Sequence, residues 1–190
     1  YPGWTMTDLA SHLGSIHART SLIVTTLPAE RISAPKPPED VDVLDWYDQN
    51  LDEMLAALTD ADPTAACWGF IASPNVGYWE RRMVIETGVH RWDAAQAFGE
   101  EDRLTDLVTR SGLDEYEDMW LPRLDEEVPP LELAATDLGM TWILGEGDPV
   151  ARIEATASDL YLRLMSRPSP VVLPDEWAQA VDGLARPPKP

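Results

Sequence analysis

The sequence predicts an α+β protein, with a helical first half followed by a smaller half that mixes short strands and helices. Three observations predict it. Apolar residues recur at helical spacing in four segments up to residue 124. Prolines at 122, 129 and 130 then interrupt the chain. Between residues 131 and 154 the apolar period falls from near 3.6 to near 2, the signature of strands.

Taken in order, Thr5 and Asp8 form a capping-box pattern that opens a helix from about Met6 to Thr26, closed by Pro28. The proline-rich stretch Ala34 to Asp40 connects it to a second helix, in which Val43, Leu44, Tyr47, Leu51, Met54, Leu55 and Leu58 line one face. Asp62-Pro63, Ser73-Pro74-Asn75 and Gly77 mark a loop before a third helix from about Tyr78 to Phe98, stopped by Gly99. A fourth helical pattern runs from Leu104 to Leu124. Leu131 to Ala135, Met140 to Leu144 and Val150 to Glu154 read as three short strands of an antiparallel sheet, with Asp137-Leu138-Gly139 turning between the first two. Ser158 to Met165 and Pro174 to Leu184 read as helices, and a polar, proline-rich tail follows from Arg186 to Pro190.

Composition excludes several classes of function. Hydrophobic residues make up 44% and charged residues 25%, which suits a packed core. The formal charge of −20, from 34 acidic against 14 basic residues, repels a phosphate backbone or an anionic membrane, so neither nucleic acid nor membrane is an expected partner. The apolar run Ser21 to Leu27 falls far short of the roughly 20 residues a membrane helix needs. No basic, apolar leader opens the chain, and its start at Tyr1 without a Met suggests that the true N-terminus lies upstream. One cysteine, Cys67, cannot form an internal disulfide, so the expected compartment is the reducing cytoplasm. Its apolar neighbours make it packing rather than a nucleophile.

Chemistry has few places to be. The chain holds three histidines, His12, His17 and His90. Glu86 and His90 are four apart on the third helix, which puts both side chains on one face, roughly 5–6 Å apart. Arg82, Glu86, His90 and Asp93 share that stripe, bordering the apolar stripe of Ile85, Val89 and Trp92. A solvated face with an Arg82 to Glu86 ion pair would produce the same pattern, so a metal needs a third ligand. His12 and His17 flank the apolar stripe of the first helix on opposite sides, about 140° apart, and periodicity does not choose between them.

A family resemblance does choose. Pro2-Gly3-Trp4-Thr5, the segment Asp8 to Gly14, Tyr78-Trp79-Glu80-Arg81-Arg82-Met83 and above all Glu86-Thr87-Gly88-Val89-His90-Arg91-Trp92-Asp93 resemble the mycothiol-dependent maleylpyruvate isomerase family, within the DinB-like superfamily of four-helix bundles. Ala157 to Arg167 also looks like that family's smaller C-terminal domain. The resemblance implies a DinB-like metal-binding bundle over residues 1–100 and a C-terminal α+β domain over 101–190. The family's bundle begins with a helix upstream of Pro2-Gly3-Trp4, so three bundle helices are expected in this chain: either the first is missing from these residues or something else covers that face.

By the same resemblance the zinc ligands fall on His12, Glu86 and His90, leaving His17 outside. Two imidazoles and a carboxylate leave one position of a tetrahedral zinc, or of another divalent metal, for a thiol, here mycothiol. A coordinated thiol loses its proton near neutral pH, so the metal replaces a protein cysteine as the source of reactivity. Asp93 is expected to orient His90 from behind. Arg167 of the second domain, and Arg82 on the helical side, are candidates to hold a substrate carboxylate. The expected activity is isomerisation, or transfer of a thiol to an electrophilic small molecule, with a low-molecular-weight thiol as the second partner. Two rivals share the residues: a non-catalytic small-molecule-binding or regulatory protein on this scaffold, and a helical interaction module without a metal.

Overall fold

The computed structural model describes residues 3–124 and 127–184. Tyr1, Pro2 and the expected tail from Arg186 to Pro190 lie outside the described residues. The chain divides into two compact units, the first ending at Asp102 and the second beginning at Arg103.

The first unit holds α1 (Met6–Thr26), α2 (Val43–Asp60) and α3 (Val76–Ala97). The capping box at the start of α1 is complete: the Asp8 amide donates to the Thr5 hydroxyl at 3.2 Å, and the Thr5 amide donates to the Asp8 carboxylate at 2.8 Å. Leu27 closes α1 in the left-handed conformation, its amide returning to the Ile23 carbonyl, and Pro28 prevents continuation. α3 starts two residues earlier than its periodicity suggests, because Asn75 caps it by accepting from the Tyr78 amide at 2.9 Å. The core of this unit joins Ile16, Ile23 and Val24 of α1, Met54 of α2, Cys67, and Val76, Tyr78, Trp79 and Met83 of α3. Trp79 is fully enclosed, and its indole donates to the Trp68 carbonyl at 2.7 Å. Cys67 is buried here as expected, and burial raises its pKa.

The second unit holds α4 (Asp106–Met119), a 3-10 turn at Leu121–Arg123, β1 (Leu131–Ala135), β2 (Met140–Leu144), β3 (Ala151–Ala155), α5 (Ala157–Leu164) and α6 (Asp175–Leu184). α4 ends five residues before the pattern does: Pro122 cannot donate an amide to a continuing helix, and the chain tightens into the 3-10 turn instead. The sheet corrects the sequence reading. β1 and β2 pair antiparallel across the predicted turn, with Gly139 at a φ of 61°, but β3 pairs parallel to β1. The order is β2-β1-β3, so the sheet is mixed. The reason is topological: the chain reverses once at each loop, so the third strand runs with the first, and it reaches β1 by passing to the far edge. Residue alternation reports a strand but not its partner. Leu131, Leu133, Leu144, Leu160, Tyr161 and Trp177 are buried in this unit. Gly112 of α4 sits under the Tyr161 ring, where an added Cβ would lie 2.2 Å from Cζ.

Candidate metal centre

α1 and α3 bring the proposed ligands together. His12 Nε2 stands 3.3 Å from Glu86 Oε1, and His90 Nε2 stands 3.4 Å from the same oxygen. All three donor atoms lie within 4.8 Å of one another. The two rings meet edge to face, with centroids 5.1 Å apart. The Trp4 indole covers both, its centroid 5.0 Å from that of His12 and 6.5 Å from that of His90.

The other atoms of these side chains are already engaged. Arg82 donates to Glu86 Oε2 one turn away, leaving Oε1 to face the imidazoles. His90 Nδ1 is 2.9 Å from Asp93 Oδ2, so the ring donates a proton on that side while Nε2 faces Glu86. Burial alone would raise the pKa of Glu86. The Arg82 charge and the bonds to His12 and His90 outweigh it, and the carboxyl is held well below its ordinary range. For His90 burial pulls the pKa down, but the bonds to Asp93 and Glu86 prevail and raise it.

The donor set suits a metal ion better than it suits hydrogen bonds alone. Separations of 3.3 and 3.4 Å exceed the usual 2.9 Å of an N–H···O bond. They match the edge of a tetrahedron whose ligands stand about 2.0–2.1 Å from a zinc ion, which is about 3.3 Å. Three electron-rich atoms turned toward one point also repel unless a cation or protons lie between them.

His17 stays outside, as the family resemblance implies. It is not a surface histidine: it is fully buried, with Nε2 3.2 Å from the Thr87 hydroxyl and its ring 5.5 Å from that of Tyr47. Desolvation lowers its pKa to about 4, the His12 charge adding and the Glu86 charge opposing. Arg82 and Asp93 thus join the three ligands in the first unit. Arg167 belongs to the second, where its side chain is buried and donates to the Met165 carbonyl at 3.0 Å. His90 also borders an apolar cleft of about 590 Å³ lined in part by Leu9, Leu13, Val43, Tyr47 and Thr87.

Two residues near this site escaped the sequence reading. Trp4 sits before any helical pattern, so no periodicity pointed to its place over the rings. Arg19 lies seven residues after His12, which is two turns along the same face, and that spacing was available as a signal.

Residues 1–95 match the family model described as the mycothiol maleylpyruvate isomerase N-terminal domain. Two solved structures share the fold. One is a crystal structure of the mycothiol-dependent maleylpyruvate isomerase, with a TM-score of 0.63 and 11% identity over 90% of this chain and 77% of that one. The other is a histidine-to-alanine mutant of such an isomerase, with a TM-score of 0.65 and 10% identity over 85% of this chain and 74% of that one. At such identities the likeness speaks for the fold. No curated protein matches the chain. The family model, by contrast, matches the sequence itself over half its length, across the whole segment that carries His12, Glu86 and His90. The chain belongs to the mycothiol maleylpyruvate isomerase family of enzymes.

Proposed function

We propose that this protein is a metal-dependent enzyme that uses a low-molecular-weight thiol, mycothiol by its family, to isomerise an electrophilic small molecule or to transfer the thiol to it. One observation carries the reading: His12 and Glu86, 74 residues apart along the chain, meet with His90 and turn three donor atoms to one point. His12 Nε2, Glu86 Oε1 and His90 Nε2 would hold zinc or another divalent ion and leave a fourth position for the thiol. When bound, zinc lowers the pKa of a coordinated thiol and so supplies a thiolate near neutral pH.

The remaining residues prepare the site. Asp93 holds the His90 proton on Nδ1, which keeps Nε2 a lone-pair donor. Arg82 acts through Glu86: its guanidinium is bonded to Oε2 and so fixes the carboxylate. Cys67 is buried and its thiol held protonated, which fits a chemistry whose sulfur comes from outside and a reducing, cytoplasmic setting.

Chelation of the purified protein should abolish mycothiol-dependent turnover of electrophiles such as maleylpyruvate, and one equivalent of zinc should restore it. Full turnover in metal-free protein would overturn the proposal.

A further inference from the structure

Arg19 is a cation that the proposed chemistry leaves unused. It shares a helix face with His12, roughly 10 Å further along α1. Its guanidinium lies over two aromatic rings, with Cζ 5.5 Å from the centre of Phe70 and 5.6 Å from that of Trp79. Trp79 is itself pinned to the Trp68 carbonyl, so the shelf is fixed. The Arg19 Nε–H is buried and donates no hydrogen bond, and among the described residues no carboxylate stands within ion-pair distance of it.

That arrangement is unexpected in a chain with 34 acidic and 14 basic residues, where an arginine has abundant partners. A buried unsatisfied donor costs stability and calls for a reason. The charges felt at Arg19 besides burial are those of Glu86, Arg31, Arg82 and Tyr78. The nearby Glu86 carboxylate is itself bonded to Arg82 and makes no ion pair with Arg19.

We propose that Arg19 is a specificity-determining residue, which takes a planar carboxylate of the electrophile while the other end of that molecule reacts beside His12, Glu86 and His90. The inference rests on the metal-centre reading for the reaction, but the anion subsite can be measured without it. The aromatic shelf backs the guanidinium, and a bidentate pair with a carboxylate would satisfy the donor that Arg19 leaves unused.

The test uses benzoate as the probe and benzamide as its neutral counterpart, on the full chain with and without zinc. Benzoate should shift the Arg19 Nε–Hε nuclear resonance, identified by its loss in Arg19→Lys, and benzamide should not. Arg19→Met keeps the aliphatic packing and should weaken benzoate binding roughly tenfold or more, with zinc content unchanged. Equal benzoate binding in Arg19→Met, or equal binding of benzamide, overturns the proposal. If Arg19→Met fails to fold, Arg19→Lys decides: unaltered benzoate affinity there, with no shift of the Arg19 signal in the parent chain, is also a refutation. Benzoate bound at Arg19 in a chain that never takes up zinc would keep the subsite and remove the metal reading; zinc uptake with benzoate ignoring Arg19 would do the reverse.

Discussion

His12 and His17 occupy opposite flanks of α1, and the two flanks are different surroundings for an imidazole. On one, His12 meets the ionised Glu86 and a second imidazole, and part of its side chain, 23%, reaches solvent. On the other, His17 is enclosed between a threonine hydroxyl and a tyrosine ring, with one ring nitrogen making no hydrogen bond. The residue type is the same and the helix is the same. What differs is the side chain that α3 turns toward each: a carboxylate builds a ligand site, whereas a neutral hydroxyl builds a structural contact.

The sharpest way to break this contrast is to delete a ligand. His90→Ala should lose most bound zinc by elemental analysis while its far-ultraviolet helical signal stays near that of the parent chain. Retention of one equivalent of zinc would remove His90 from the site.

The His17 flank predicts a pH effect. An unfolded histidine titrates near 6.5, and the folded one near 4. The unfolded chain therefore binds the extra proton first, and stability falls as pH drops through this window, by about 3 kcal/mol in all. Denaturant melts from pH 7 to pH 4 should show that part of the loss disappear in His17→Leu, with zinc content unaltered. A zinc-free His17→Leu protein would erase the distinction between the flanks.

The smallest effect belongs to Asp93, which would act one bond removed from a bound ion. Asp93→Asn should weaken zinc affinity by about 10–100-fold without abolishing it. Competition with a chromophoric chelator measures it, and affinity equal to that of the parent chain would make Asp93 a bystander.

Much of this site was legible before any fold. Glu86 and His90 share a face by spacing alone, and Asp93 follows at the distance that let it reach Nδ1. The choice between His12 and His17 was not legible from periodicity, because both are equally displaced from the apolar stripe and the decision lies in α3. Only the family resemblance anticipated it. Arg82 shows the limit of spacing: its place on the stripe is legible, and so is the pairing with Glu86 one turn away, but the task of its remaining donors is not. The helices were marked by caps such as Thr5 with Asp8, which are local. The direction of β3 was not, since strand partners are set by which edge of β1 is open, a fact that no stretch of five residues carries.

The place of Trp4 has one more consequence. An indole seated 5.0 Å from one imidazole and 6.5 Å from the other makes the cluster its own optical gauge. Whatever enters between those rings alters the electronic surroundings of one of the chain's eight tryptophans. The emission lost on Trp4→Phe therefore isolates a label-free readout of occupancy, and a quenching ion such as copper would darken it in proportion to the sites filled.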